Sequence, residues 1–250
     1  MDALAALALQ IAWGADEALA DAPRDRLRQP AALPVLAPAP VGPSVTIGAV
    51  ARGQALAAAA LTPETLREAL AGFDGCALRA TATSLVFGAG NPASGVVLVA
   101  DVPGTAEDRA GVPFAGPAAA FLERMLGSID LTLDGVFATS LLPWRPPGDR
   151  KPAETEVQLC LPFLLRHLTL LRPRFVLLTG SLTTRTLLPG VAGRRARGWQ
   201  RLAIGEDMIP ALSFGTPLHI QATPSARREA WANLVRLRRA LDGSPIGDRV

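Results

Sequence analysis

The chain has 250 residues, of which 49% are hydrophobic and 19% are charged, and its formal net charge is +3. A chain of this length and apolar content can bury one full core and carry a small appendage, so we expect a single catalytic-size domain. The net charge is too small to establish a nucleic-acid partner, although a pI of about 9.6 permits a basic face.

The cysteine content and the N-terminal pattern exclude several classes of protein. Cys76 and Cys160 are the two cysteines, and they provide neither a disulfide framework nor a local metal motif. This is typical of the reducing cytoplasm, where we expect the protein to act. No stretch reaches the roughly 18 apolar residues of a membrane span. Because the start is acidic, at Asp2, and no positive region precedes the apolar stretch, we expect neither a signal peptide nor a membrane partner.

The N-terminal part divides into two segments of different composition. Residues 1–21 are rich in Ala and Leu at near-helical spacing, and they predict an N-terminal helix that packs against the core. Residues 22–61 are rich in Pro and Ala and predict an extended linker.

A helix-start signal at Thr62 marks the expected beginning of the core domain, residues 62–241. Thr62 is suited to cap the helix, Pro63 to occupy its first position, and Glu64 to supply an early carboxylate. The polar residues 242–250 predict a flexible tail.

From residue 95 onward the pattern alternates apolar strands with helices. Residues 95–102 hold five Val or Leu residues among small ones, which predicts a buried parallel strand. Further strands are predicted at 136–142, 175–180 and 218–222, and helices at 154–171 and 226–241. This order predicts the α/β class, as a three-layer α/β/α sandwich with a four-stranded parallel sheet. In such folds the ligand crevice lies outside the carboxyl ends of the strands, so residues 101–114 should line it.

Several motifs in the same order suggest a family. Residues 103–116 follow the order P-G-x-x-E-D-x-x-G-x-P-F-x-G, which resembles the first active-site motif of family 4 uracil-DNA glycosylases. Residues 144–150, WRPPGDR, are similar to that family's R-P-P-G-N-R block, and Thr223-Pro224-Ser225 stands where its H-P-S motif is expected. The resemblance covers about residues 62–241, and residues 13–26 also resemble the leader of some bacterial members. It implies a uracil-DNA glycosylase-like fold and an ancestry in DNA base-excision repair.

The resemblance also implies roles for individual residues. The implied catalytic positions are Asp101 and Thr223. The implied base-binding positions are Gly104, Asp108, Phe114 and Ser140, with the Phe114 ring over the uracil and backbone N–H groups of residues 104–108 donating to the base or to a water. The implied DNA-binding positions are Arg150, Arg197, Ser225 and Arg227. Three alternatives stay open: Phe114 anchors its own turn, the arginines form a solvated surface, and Arg145 and Arg150 brace their loop.

Three of these positions depart from the family pattern. The family's glutamate is Asp101, which is one methylene shorter but still able to act as a base. Its asparagine is Ser140, whose hydroxyl cannot read two adjacent groups of uracil as an amide can. Its histidine is Thr223, and His219 on the predicted strand 218–222 would lie about 13 Å away at 3.3 Å per residue. Because of this distance, and because His167 lies in a helical pattern, both histidines are interpreted as structural. The DNA-wedging loop after Ser225 is also shortened.

The cofactor that the family resemblance implies is a [4Fe–4S] cluster, normally held by four cysteine thiolates. Two of those positions are Phe73 and Trp144 here, and Cys76 and Cys160 are the two that remain. We therefore expect no metal and no cofactor, and we expect side-chain packing to occupy the place of the cluster.

Three hypotheses follow, all for a monomer on the same scaffold. The first is a catalytically degenerate protein that retains DNA or base binding. The second is an active glycosylase that hydrolyses the N-glycosidic bond of uracil or another damaged base. The third is an interaction protein with no role on DNA.

Overall fold

The computed structural model describes residues 43–191 and 198–246. The helices in these ranges are α1 Pro43–Ala59, α2 Pro63–Gly72, α3 Leu78–Thr81, α4 Thr105–Ala110, α5 Pro117–Gly127, α6 Glu154–Leu171, α7 Ser181–Leu187, α8 Pro217–Ala222 and α9 Pro224–Leu241. The strands are β1 Gly88–Gly90, β2 Val96–Ala100, β3 Phe137–Ser140, β4 Phe175–Thr179, β5 Gln200–Ile204 and β6 Asp207–Phe214.

The strands form one six-stranded sheet in the order β1-β3-β2-β4-β6-β5. The four central strands are parallel to one another, and the two edge strands pair antiparallel to their neighbours. The predicted α/β class and the parallel core of the sheet are therefore confirmed. The predicted number of strands was too small, because the antiparallel edge strands were not recognised.

Alternating side chains of the sheet pack into two apolar clusters. On β2, Val97 and Val99 belong to the first cluster, with residues of α1, α2, α6 and α7. Val96 and Leu98 belong to the second cluster, with residues of α5, α8 and α9. This alternation is what the pleat of a strand requires when both faces are buried. The sheet is therefore the middle layer of the three-layer sandwich.

The predicted strand at 218–222 is wrong, because this segment is helix α8. Thr216 precedes the helix, its hydroxyl accepts a hydrogen bond from the His219 N–H, and Pro217 occupies the first turn. This is the same cap signal that identified the helix after Thr62. The fourth parallel strand is β6, which forms a hairpin with β5.

The structure begins the compact unit earlier than residue 62. Helix α1 lies within the range assigned to the linker, and Ala57 on it is buried in the first cluster. The predicted cap at Thr62 is confirmed, since its side chain accepts from the Thr65 N–H in a capping box. The predicted N-terminal helix and residues 22–42 of the linker lie outside the described residues.

The predicted flexible tail is partly described. Ile246 packs partly against the second cluster, while residues 247–250 lie outside the described ranges. None of the helices in the described part of the chain is long and apolar enough to span a bilayer.

Candidate functional site

The four parallel strands end at one edge of the sheet, and the predicted site residues follow these ends. Asp101 comes directly after β2, and Ser140 is the last residue of β3. The Gly180 N–H, after β4, donates to the carbonyl of Phe214, the last residue of β6, at 2.8 Å. The sheet therefore assembles the candidate site from segments that are far apart in the sequence.

The Asp101 carboxylate is held by the first turn of α7. Its Oδ1 accepts from the Thr183 N–H at 2.7 Å and from the Thr183 hydroxyl at 2.6 Å. Its Oδ2 accepts from the Leu182 N–H at 3.2 Å. An acidic side chain that accepts from the free N–H groups of a helix start is a capping residue. Asp101 therefore caps α7.

Gly180 makes this close approach sterically feasible. A Cβ at Gly180 would lie 2.2 Å from the Asp101 carboxyl carbon, and its φ of 118° is one that other residues rarely adopt. The glycine thus lets the carboxylate reach the amide groups of α7. Neither the glycine nor this partnership was part of the sequence prediction.

The loop that follows β2 is braced by Glu107 and Asp108. Glu107 Oε2 accepts from the Gly104 N–H at 3.1 Å, and Oε1 accepts from the Ala115 N–H at 3.2 Å. The buried Asp108 carboxylate accepts from the N–H groups of Thr83 and Ser84, at 2.9 and 3.1 Å. These carboxylates thus stabilise the loop from both sides.

These contacts alter the predicted roles of Gly104 and Asp108. The Gly104 N–H donates to Glu107, and the Asp108 N–H donates to the Gly104 carbonyl in α4. Two of the backbone donors proposed for the base or the water are therefore already engaged within the protein. The base-binding role of both positions stays a prediction.

Phe114 lies between Gly104 and Ala115, the two residues whose N–H groups donate to Glu107. Its side chain is only 6% exposed and belongs to the second cluster. Its φ is 54°, in the left-handed region that costs a bulky residue conformational energy. The burial favours the alternative in which Phe114 anchors its turn, and stacking on a base would require one face of the ring to open.

Ser140 is buried at the end of β3, and its hydroxyl has no hydrogen-bond partner among the described residues. Alternation along β3 gives Ser140 the same face as Ala138, which belongs to the second cluster with Phe114. Ser140 pairs in register with Ala100, so Asp101, the next residue, points to the opposite face. The sheet therefore groups Ser140 with Phe114 and separates both from Asp101.

Thr223 lies at the junction between α8 and α9. Its backbone N–H donates to the His219 carbonyl at 3.0 Å, and its side chain makes no capping bond to α9. Because this segment is helical, His219 lies one turn from Thr223, about 6 Å along the helix axis rather than about 13 Å. The predicted separation of the two residues is therefore wrong.

The His219 imidazole lies at the carboxyl edge of the sheet. A Cβ at Gly215, directly after β6, would lie 2.9 Å from the His219 Cδ2, so the ring covers this glycine. Its side chain is exposed. The edge thus carries, in order, the Asp101 carboxylate, Gly180, Gly215 and the His219 ring.

The predicted DNA-binding residues have different environments. Arg150 forms a two-pronged ion pair with Glu156, at 2.9 and 2.6 Å. Burial raises the pKa of Glu156, but hydrogen bonds from Arg150 and from the Ala153 N–H outweigh it and lower the pKa overall. Arg145 pairs in the same way with Asp149. These contacts favour the loop-bracing alternative for both arginines.

Two of the other three predicted DNA-binding residues lie on α9. Ser225 and Arg227 are exposed in its first turns. Arg197 lies outside the described residues. Ser225 and Arg227 thus remain accessible to a partner.

The comparison with known families decides the ancestry of this arrangement. The model of the Uracil DNA glycosylase superfamily matches residues 87–236, which include all six strands of the sheet, β1 to β6. The chain belongs to the uracil-DNA glycosylase superfamily. The resemblance inferred from the motifs is confirmed at this level.

Three relatives within the superfamily carry the name type-4 uracil-DNA glycosylase. The protein of Pyrobaculum aerophilum is 35% identical over 133 residues, which cover 53% of this chain and 67% of the relative. That of Archaeoglobus fulgidus is 40% identical over 105 residues, 42% of this chain and 53% of the relative. That of Sulfurisphaera tokodaii is 33% identical over 123 residues, which cover 49% of this chain and 56% of the relative. The matches thus span about half to two thirds of the relatives' lengths.

The residues of this superfamily member do not fit the four-thiolate cluster that the family 4 resemblance implies. Phe73 and Trp144 are 1% and 3% exposed in the first cluster, and the Phe73 ring lies 5.3 Å from that of Phe163. A Cβ at Gly75 would lie 2.3 Å from the Phe73 ring, so the ring occupies the space above that turn. Two thiols cannot replace the four that such a cluster takes.

The two remaining thiols interact with each other. Cys76 and Cys160 are both buried and free. Their hydrogen bond lowers the pKa of the Cys76 thiol and raises that of Cys160 well above its usual value. Among the described residues, no three His, Cys, Asp or Glu side chains are grouped so that they could hold a metal ion.

His167 has a structural environment on α6, away from the edge of the sheet. Its ring stacks on Phe87 at 4.2 Å and meets Phe137 edge-on at 5.4 Å. Burial lowers its pKa to about 4, so the imidazole is neutral at physiological pH.

Sequence reasoning missed Glu107 as the residue that organises the first motif. The signal was present, because Glu107 stands three residues after Gly104, at the spacing of a capping box. Its second bond, to Ala115, joins residues eight positions apart through a turn and has no comparable signal.

Proposed function

We propose that this chain is a DNA-binding member of the superfamily that has lost efficient hydrolysis of the N-glycosidic bond. The observation that carries the proposal is the Asp101 carboxylate, which three donors of α7 engage. At the position of the family's Glu, Asp101 thus caps a helix, and the position of the family's His is taken by Thr223. We also propose a cytoplasmic monomer, in keeping with the two free thiols.

Hydrolysis at an extruded nucleotide requires a positioned water and a donor that stabilises the departing base. A water adds to the sugar carbon while the bond to the base breaks, and negative charge develops on the base. Thr223 supplies only a neutral hydroxyl to that charge. Loss of one such donor typically costs roughly 10²–10³ in rate.

Recognition of uracil is weakened by the same replacements. Ser140 offers one hydroxyl in place of an amide, and its hydroxyl is buried at the end of β3. An amide presents both a donor and an acceptor in a fixed plane, and a hydroxyl cannot satisfy both sites at once. We therefore expect DNA binding that discriminates little between uracil and cytosine, which differ in the donor and acceptor groups that an amide reads.

The proposal is tested by restoring the lost groups. Thr223→His, alone and with Ser140→Asn, is compared with wild type for release of uracil from a single-stranded oligonucleotide. We expect wild type to bind without release, and Thr223→His to gain activity of the order of 10²–10³-fold.

The matched control is Ala222→His, which places an imidazole on an exposed residue next to Thr223. The control should gain nothing. If wild type binds no oligonucleotide at low salt, the DNA-binding part of the proposal fails. If it binds, but neither restored variant releases uracil, Thr223 is not the missing catalytic group.

A second candidate function is supported by the position of His219. Its exposed imidazole lies one turn before Thr223, at the same edge as Asp101. In this candidate the chain is an active glycosylase, in which His219 donates to the departing base and Asp101 holds the water.

His219→Gln separates the two candidates. In the second candidate it abolishes release by the wild-type protein, because the donor to the departing base is lost. In the first candidate the wild-type protein releases no uracil, so His219→Gln has no effect on release.

A further inference from the structure

Helix α9 has an outer face that neither the core nor the candidate site accounts for. We call it the α9 outer face and define it by Arg227, Arg228 and Trp231. Residues three and four positions apart are neighbours on a helix, so both arginines flank the tryptophan on one side of α9.

Trp231 is an exposed aromatic side chain without a structural partner. It is 52% exposed and belongs to neither apolar cluster. Among the described residues it has no partner for its ring or its indole N–H. A tryptophan with one exposed face offers a large apolar ring and an indole N–H to a partner, and such residues are enriched at interfaces.

The arginines beside Trp231 are also unpaired. Arg227 and Arg228 are exposed, and neither forms an ion pair or side-chain hydrogen bond with any residue that the structure describes. Helix α9 carries five arginines and one glutamate, a net charge of +4, whereas the whole chain has a net charge of +3. Helix α9 is therefore one of the strongly basic segments of the chain, and its two arginines beside Trp231 have no acidic partner among the described residues.

We propose that the α9 outer face binds a single strand of nucleic acid. One base stacks on the Trp231 indole, and Arg227 and Arg228, one helical turn before it, contact neighbouring phosphates of the same strand. A stacking aromatic ring combined with cations that follow the backbone is the arrangement that binds single strands without reading their sequence.

This inference deepens the proposed DNA binding and rests on it. Trp231 lies eight residues beyond Thr223, about 12 Å along the helix. A strand whose nucleotide enters the candidate site can therefore continue along α9. The α9 outer face supplies affinity for the strand. The shortened loop after Ser225 is too short to supply this affinity by wedging into DNA.

The positive charge of the α9 outer face favours some binding partners over others. A second copy of this chain would bring the same positive helix, which opposes self-association through this face. An acidic protein would satisfy the arginines, but it would not use the flat indole face as a nucleobase does. Nucleic acid satisfies both features of the surface.

The test is a titration of a labelled oligothymidine with the full chain, followed by fluorescence anisotropy at low and moderate salt. Base stacking on an aromatic ring is worth about 1–3 kcal/mol, so Trp231→Ala should weaken binding by about 5- to 150-fold. Trp231→Phe should retain most of the affinity. The double variant Arg227→Gln/Arg228→Gln should reduce the slope of log K against log salt by about 1.4, because each single-strand phosphate contact contributes about 0.7.

Matched controls come from exposed residues on other elements. Met208→Ala removes an apolar side chain that is also 52% exposed. Arg67→Gln/Arg79→Gln removes two exposed arginines of α2 and α3. Both controls should bind like wild type.

The outcomes separate this inference from the proposed function. If wild type binds no oligonucleotide, the proposed DNA binding fails and the inference with it. If wild type binds and Trp231→Ala binds equally well, only the stacking face is wrong. Loss of binding in the arginine double variant alone would identify an unspecific polyanion surface, which also overturns the stacking proposal. Quenching of tryptophan fluorescence that disappears in Trp231→Phe provides an independent readout of stacking.

Discussion

Asp101 and Thr183 are joined by two short hydrogen bonds, from the Thr183 amide and hydroxyl groups to one carboxylate oxygen, at 2.7 and 2.6 Å. They lie 82 residues apart in the sequence, so this contact ties the end of β2 to the start of α7. A residue expected to serve catalysis therefore has a structural role that the fold itself explains.

The first prediction concerns the stability that Asp101 provides. Asp101→Ala should lower the free energy of unfolding by about 1–3 kcal/mol, because it removes a helix cap and leaves buried donors unsatisfied. Asp101→Asn should cost less, since an amide oxygen still accepts. Urea denaturation measures both.

The matched control for Asp101 is Asp74, whose ion pair with Arg52 is exposed. Asp74→Ala should change stability by less than about 1 kcal/mol, as is usual for surface ion pairs. Equal effects of the two alanine variants would contradict the capping role of Asp101.

The second prediction concerns Glu107 and the loop that holds Phe114. Glu107→Gln removes one of two carboxylate acceptors, so the Gly104 or the Ala115 N–H loses its partner. We expect faster amide hydrogen exchange at whichever of these two residues loses its partner, and a loss of about 1 kcal/mol in stability.

Glu123→Gln is the control for the Glu107 experiment. Glu123 also accepts from a backbone N–H, that of Leu133, but at an exposed position away from the first motif. It should leave exchange at Gly104 and Ala115 unchanged. Unchanged exchange in Glu107→Gln as well would show that the loop does not depend on the carboxylate.

The third prediction concerns the pH dependence that His167 causes. Burial lowers its pKa to about 4 in the folded protein, whereas the unfolded chain protonates near the ordinary value of about 6.5. Between these pH values the unfolded state binds more protons, so stability falls as pH decreases from about 6.5 to about 4. The free energy of unfolding should fall by roughly 3 kcal/mol over this pH range because of His167.

His167→Phe isolates this contribution from that of the carboxylates. It should abolish the extra slope of stability against pH between pH 6.5 and pH 4. Chemical denaturation at a series of pH values gives the comparison. Equal slopes in wild type and His167→Phe would contradict burial of a neutral imidazole.

The fourth prediction concerns the packing that stands in place of a cluster. Phe73 is 1% exposed, so Phe73→Ala should destabilise the protein by about 3–5 kcal/mol through lost burial and a cavity. Iron and sulfide assays on anaerobically purified wild-type protein should find neither. About four irons per chain would contradict our interpretation of Phe73 and Trp144.

The fold was largely predictable because its central elements are local patterns. Strand β2 is buried on both faces and is therefore a continuous apolar run. Helix α6 is buried on one face and therefore shows helical periodicity. The hairpin of β5 and β6 was not recognised, because Met208 is exposed and Pro210 interrupts the strand pattern. The cap at Thr216 was overlooked, so a short apolar run was read as a strand instead of a helix.

The site was predictable as a set of positions but not as a set of contacts. The motifs identified Asp101 and Thr223, while the partner of Asp101 lies in a different motif-free segment. Likewise, the distance from Thr223 to His219 depends on whether the segment is extended or helical. The partnership of Asp101 is set by tertiary structure, which local sequence does not encode, whereas the helix that contains His219 has a local cap signal at Thr216.

The most direct test of the central claim is single-turnover release of uracil from a single-stranded uracil oligonucleotide, with protein in excess and alkaline cleavage of the product. We predict that wild type binds the oligonucleotide but produces no cleavage above a protein-free control. Cleavage by wild type that Asp101→Asn abolishes, while its fold and DNA binding persist, would show that Asp101 is catalytic and would contradict the account.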